Sequence, residues 1–195
     1  MKRFLFLLVV VIFITSCVTA VKMPQNVTIS DEIIDSIWFD YPLQNNEISA
    51  FKMTKICIAD NLTNEEVMLS DSSKSFVGSY TGNLYTINSE KQIEGGQVIR
   101  MYDEDIKTVV ARGSHKYNKT VGFLPMNFYL RYTVKINIKN NKLLIKYSNI
   151  ERAQSDTGYA SNSGFNPIGQ WPGARPEEVY NELEMLSKKM NNCIN

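Results

Sequence analysis

The stretch FYLRYTVKINIKNNKLLIKYSNI, Phe128–Ile150, decides the fold. Phe128, Leu130, Tyr132, Val134, Ile136 and Ile138 alternate with Tyr129, Arg131, Thr133, Lys135, Asn137 and Lys139. Strict alternation is the period of a strand with one buried and one wet face. Asn140-Asn141 then supplies a two-residue turn that needs positive φ at both positions. This turn pairs Ile138 with Leu143, Ile136 with Ile145 and Val134 with Tyr147. A slip of one residue would bury lysines, so the register is strongly specified. The same register sets Lys139 opposite Lys142 and Lys135 opposite Lys146 on the wet face, with Arg131 further along. Directly opposed like charges destabilise a sheet. These five cations therefore read as a candidate docking stripe for an anion such as lipid phosphate, an acidic glycan or an acidic protein. A simpler use stays open, because lysines also keep exposed sheets from aggregating.

Outward from this hairpin the pattern is mixed. Ile34–Tyr41 is rich in Ile, Trp, Phe and Tyr and ends at Pro42, which reads as a strand. Asn45-Asn46 can cap a helix from Glu47 to Leu62. Its apolar residues fall on two stripes, Ile48, Phe51, Ile58, Ala59 and Leu62 on one, Ala50, Met53 and Cys57 on the other. That predicts a helix covered on two sides. A strand over Phe51–Ile58 is the alternative, since Thr54, Ile56 and Ile58 are β-branched. Residues 64–92 are polar and read as an insertion, with a hairpin over Phe76–Ile87 turning at Gly82-Asn83. Gly95-Gly96 reads as a flexible break. Val98–Tyr102 and Ile106–Arg112 read as strands around Asp103-Glu104-Asp105. Residues 152–175 read as a long loop carrying Tyr159, Phe165 and Trp171. Pro176 then opens a helix, where its missing N–H costs nothing. Val179, Leu183, Leu186 and Met190 form its apolar stripe, and Cys193 continues it.

The beginning of the chain carries an address. Lys2 and Arg3 precede an apolar run, Phe4–Ile14, that is too short to span a bilayer, which takes about 20 residues, and that fits a signal peptide. Ile14-Thr15-Ser16-Cys17 follows and resembles the lipobox of bacterial lipoproteins. The resemblance implies a signal peptide over residues 1–16, cleavage before Cys17, lipidation of that cysteine, and a tether over residues 17–30. Two or more acyl chains anchor a protein stably. Val18 follows the cysteine where an Asp would favour inner-membrane retention, so the expected location is the bacterial cell envelope, at the outer membrane. Loss of Lys2 and Arg3 takes the formal charge from +1 to −1, which argues against nucleic acid as a partner. In this compartment Cys57 and Cys193 are expected to form a disulfide, two buried thiols being the alternative.

Catalytic constellations are hard to find. His115, the one histidine, sits in Arg112-Gly-Ser-His-Lys-Tyr117 and reads as a solvent-exposed loop residue with no nucleophile beside it. Asp103-Glu104-Asp105 lacks the spacing and the six or more oxygens of a calcium loop and reads as a solvated turn. No catalytic residue, metal site or cofactor is expected.

The order strand, helix, several strands, helix predicts one α+β domain over residues 31–195. It is a twisted antiparallel sheet with the N-terminal and C-terminal helices on one face. Together with Ile56-Cys-Ile-Ala-Asp-Asn-Leu62 and the Tyr132–Lys142 hairpin, this arrangement resembles bacterial lipoproteins that carry a domain with a TATA-binding-protein-like fold. The resemblance implies the fold and brings no catalytic residue with it; Cys57 stands where an aromatic would be expected. The functional expectation is a lipid-anchored, non-catalytic binding or assembly module, held at the membrane by its lipid and meeting an envelope protein or an anionic glycan or lipid. The alternative is a carrier of a small apolar ligand under the curved sheet, with Tyr159–Trp171 as a lid.

Overall fold

The computed structural model describes residues 20–195; residues 1–16, read as a signal peptide, and Cys17 lie outside the described residues. In chain order the elements are β1 (Val27–Ser30), β2 (Ile33–Pro42), α1 (Glu47–Asn61), β3 (Val67–Asp71), β4 (Phe76–Val77), β5 (Leu84–Tyr85), β6 (Ser89–Ile93), β7 (Ile99–Asp103), β8 (Thr108–Val121), β9 (Leu124–Lys139), β10 (Lys142–Gln154), β11 (Asn166–Pro167) and α2 (Pro176–Ile194). A 3-10 turn, Pro172–Ala174, precedes α2. The main sheet is antiparallel in the order β1-β2-β10-β9-β8-β7, with β11 beside the end of β10.

The β9–β10 hairpin forms in the expected register. Ile138 faces Leu143, Ile136 faces Ile145 and Val134 faces Tyr147. Asn140 and Asn141 have φ of 54° and 57°, which their short polar side chains tolerate better than other non-glycine residues do. All six paired side chains are buried. Both helices cover this face, α1 against β8 and β9, α2 against β2 and β10. Tyr132 and Tyr147 meet edge to face between sheet and helices, with ring centroids 5.3 Å apart. Ser187 of α2 donates to Tyr147 Oη at 3.1 Å, so this buried hydroxyl is partnered.

Helix α1 begins at Asn46, whose side chain accepts from the Ser49 N–H at 2.8 Å. The buried face of α1 draws on both expected stripes and leaves part of the first exposed. Ala50, Phe51, Thr54, Cys57 and Ile58 are buried, whereas Ile48, Ile56 and Ala59 point to solvent. Thr54 buries its hydroxyl by donating to the Ala50 carbonyl at 3.0 Å. On α2, Val179, Leu183, Leu186 and Met190 are buried as expected. Cys57 and Cys193 are disulfide-bonded with Cα atoms 5.8 Å apart, inside the range a bridge requires.

Three segments differ from their sequence reading. The stretch Arg112–Tyr117 is no turn: β8 runs unbroken from Thr108 to Val121, paired to β9 throughout. The last part of the segment read as tether, Val27–Ser30, is a strand on the sheet edge. Gly95-Gly96 is a close approach rather than a loose break. A Cβ on Gly95 would fall 2.0 Å from the Asn64 carbonyl oxygen, and the Gly96 N–H donates to that oxygen at 2.9 Å.

The disulfide spans a sequence separation of 136. In the chain-entropy treatment such a closure contributes roughly 5 kcal/mol. The double variant Cys57→Ala/Cys193→Ala is expected to lose several kcal/mol, read from urea unfolding as a fall in midpoint. A midpoint equal to wild type would show that the bridge contributes nothing to the fold.

Candidate functional site: the open half of the sheet

The face of the sheet opposite the helices is divided in two. At one end the β3–β6 ribbon and the loop after β10 lie over it. Val67 and Leu69 of β3 pack there on Ala153 of β10, with Ile93, Tyr129 and Phe165 around them. Asn162 pins the loop, its side-chain amide donating to the carbonyls of Ser70 at 3.1 Å and Gln154 at 2.9 Å. The other end is open, and the predicted lysines stand on it.

Cross-strand pairing sets the rows of this open half. Val110, Lys135, Lys146 and Trp38 lie side by side on β8, β9, β10 and β2. Thr108, Asn137, Leu144 and Asp40 make the next row, and Lys139 faces Lys142 beyond it. Lys135, Lys139, Lys142 and Lys146 are all exposed. Lys142 reaches Asp40 at 3.4 Å; the other three have no ion pair among the described residues. Trp38 and Leu144 are 39% and 38% exposed, so apolar surface lies among the cations. A groove of about 540 Å³ opens between Lys107, Thr108, Lys135, Asn137 and Lys146. A shallower one of about 250 Å³ lies by Trp38, Lys139 and Lys142.

Arg131 does not belong to this free set. Its Nε and Nη2 donate to Glu151 Oε2 at 3.0 and 2.7 Å, and its guanidinium lies 4.2 Å from the Phe165 ring centroid. It is a neutralised, stacked residue at the border of the covered half. The expected stripe of five cations is thus four lysines and a structural arginine.

The rim of the open half is fixed by Glu47. Its Oε1 accepts from the Asn141 N–H at 2.9 Å, and its Oε2 pairs with Lys107. One carboxylate at the start of α1 therefore holds both the β9–β10 turn and the β7–β8 turn. The Asn141 N–H, then Lys107, draw the Glu47 carboxyl below its ordinary range. Asp103 closes its own turn by accepting from the N–H groups of Asp105 and Ile106 at 3.1 and 3.2 Å, as expected of a solvated turn.

His115 is a correction. It lies on β8 facing the helices, half-buried, with Nε2 3.7 Å from Glu182 Oε2. Lys119 reaches the other oxygen of Glu182 at 3.7 Å, and Lys189 lines the same cleft. Cys57 and Cys193 are bonded to each other and so present no thiol to it. The sequence signal for this inward position was the alternation Ala111, Gly113, His115, Tyr117, which has too few large apolar members to stand out. No group of three potential metal ligands occurs among the described residues.

No protein-family model matches the chain, and no curated protein matches its sequence. The fold is similar to that of a DUF4468 family protein from Bacteroides ovatus, with a TM-score of 0.56 and 7% identity over 88% of this chain and 91% of that one. It is also similar to a TBP-like protein from Parabacteroides distasonis, with a TM-score of 0.50 and 10% identity over 87% and 97% of the two chains. The chain thus has the mixed α+β, TBP-like architecture, a large antiparallel sheet with two helices. At these identities the likeness concerns the fold alone.

Burial lowers the His115 pKa from its ordinary value, and Glu182 offsets part of that. The folded state then binds fewer protons than the unfolded chain, so this residue's contribution to stability is present above pH 6.5 and is lost as pH falls below it. His115→Gln is expected to flatten stability between pH 7 and pH 5 relative to wild type, measured by urea unfolding at each pH. Parallel curves for the two proteins would contradict it.

Proposed function

We propose that the protein is a lipid-anchored envelope protein whose open sheet face docks an anionic partner, with no catalytic step and no cofactor. The observation that carries this reading is Lys135 held opposite Lys146, and Lys139 opposite Lys142, beside Trp38 and Leu144. Opposed cations work against the sheet they stand on, and an anion laid along them removes that repulsion. Exposed apolar surface between them adds area that association would bury. The partner class is an acidic glycan, a lipid phosphate or an acidic protein surface. The carrier alternative finds less support. Tyr132, Tyr147, Ile58 and Leu183 fill the space between sheet and helices, and Asn162 and the buried Ile168 tie down the loop that would serve as a lid.

Lys142 holds Asp40, so the informative reversal leaves it in place. Lys135→Glu with Lys139→Glu turns both like-charged pairs into opposite ones. The double variant is expected to elute from a polyanion matrix at clearly lower salt than wild type, with Tm unchanged or raised. Elution at the same salt as wild type would sink the docking reading. The anchor is tested separately by mass spectrometry of the membrane fraction, where the mature chain is expected to begin at acylated Cys17. A soluble chain with an unmodified N-terminus would refute it.

A further inference from the structure

The end of the sheet opposite the lysines carries a different surface. The β8–β9 hairpin extends past the last residue of β10, which pairs with Phe128. Four more residues of β9, roughly 13 Å of strand, lead to a turn at Gly122-Phe123. Phe123 is fully exposed there and Leu124 is 69% exposed. The β4–β5 hairpin leaves the β3–β6 ribbon at this same end, because Ser70 bridges Asp156 and the Ser72 N–H donates to Gly158, just past β10. That hairpin also exposes apolar side chains, Tyr80 fully and Phe76 and Val77 largely. Isolated exposed apolar residues are ordinary, but two hairpin tips that gather them at one end are a patch.

Charge distinguishes the patch further. The segments 116–127 and 72–88 contain three lysines and no carboxylate of their own; one of the three, Lys119, reaches Glu182 of α2. The chain as a whole has 20 Asp+Glu in 195 residues, so an ordinary surface of this length would carry some. Aromatic rings beside Lys74 and Lys116, which have no ion pair among the described residues, suit the phosphate-bearing surface of a bilayer, where rings sit at headgroup level and lysines reach outward.

The start of the described chain lies at this end too. Val21 and Gln170 exchange hydrogen bonds of 2.8 and 3.0 Å, and Gln170 in turn donates to Glu32, just before β2. Since β2 runs antiparallel to β10, its first residues lie beside the end of β10. Only residues 18–20 separate Val21 from Cys17, and these four chain steps span at most about 14 Å. The β8–β9 tip projects about as far past the sheet as that link can reach. We infer that the tip at Phe123 and Leu124 dips into the lipid surface and that the β4–β5 hairpin rests beside it. The membrane thereby fixes the orientation of the domain. This rests on the anchored reading above.

The test uses the full-length protein in vesicles of phosphatidylethanolamine and phosphatidylglycerol, with and without brominated acyl chains. Phe123→Trp places a reporter on the tip, and Asp105→Trp places one on the exposed turn at the opposite end. The emission added by Phe123→Trp, relative to wild type, is expected to shift to the blue and to be quenched at least twofold by brominated lipid. That added by Asp105→Trp is expected to do neither. Emission at position 123 that stays water-like and unquenched overturns the inference. The mass of the Cys17 peptide from the same sample reports the anchor independently, so a missing anchor and a tip that stays in water are told apart. Position 123 is fully exposed, so an aromatic exchange there leaves the fold intact.

Discussion

The register of one hairpin governs this molecule. Asn140 and Asn141 adopt positive φ and bring β9 back as β10, with Val134, Ile136 and Ile138 facing Tyr147, Ile145 and Leu143. A slip of one residue turns the lysines of one strand toward the core, where an unpaired ammonium costs far more than a strand pairing returns. Once this is fixed, the apolar face must be covered, and α1 and α2 are the elements with apolar stripes to do it. Lying side by side on that face, they bring Cys57 within bonding distance of Cys193. The opposite face then has no choice but to present its cations in opposed pairs.

A sheet wet on one face could stay wet along its whole length. Here a bulge and an insertion prevent that. Between Ser148 and Glu151 the β9–β10 pairing shifts by one residue, at Asn149 with φ of 50°. The shift turns Ile150 into the core and sets Glu151, not Ile150, opposite Arg131. Arg131 is thereby neutralised, and its guanidinium becomes a platform for Phe165. On that platform the second, small core of Val67, Leu69 and Ala153 is built. The bulge therefore separates a half of the outer face that binds the chain's own insertion from a half left open among the described residues.

Periodicity explains what the sequence made legible and what it hid. The hairpin and α2 were plain because their large apolar residues recur at 2 and at 3.6. The paired lysines followed from the register and needed no further information. The continuation of β8 was hidden, since its inner face passes through Gly113 and His115 and its outer face through Arg112 and Lys116. Such a run looks like a turn, and only the neighbouring β9 makes it a strand. The first stripe of α1 was drawn too wide because Ile48 and Ala59 are apolar yet point to solvent. Which apolar residues are spared burial depends on where α2 lies, and composition does not encode that. Arg131 was misassigned for the same kind of reason, because a one-residue bulge is invisible in an alternating pattern until both strands are in place.

The two surfaces left free by this construction lie at opposite ends of the longest strand. β9 has sixteen residues, and at ~3.3 Å each this sets the two turns that bound it about 50 Å apart. That distance exceeds several Debye lengths at physiological salt. Charge reversal at Lys135 and Lys139 therefore leaves the potential at Phe123 nearly unchanged, and substitutions this far apart are expected to act additively. A chain held by lipid beside the Phe123 end points its Asn140-Asn141 turn and its lysines away from that membrane. On the proposed anchoring, the partner these lysines would suit lies out in the envelope and is not the bilayer that holds the anchor. Of the three anionic classes, an acidic glycan or protein surface fits this arrangement, and phosphate of the anchoring membrane does not.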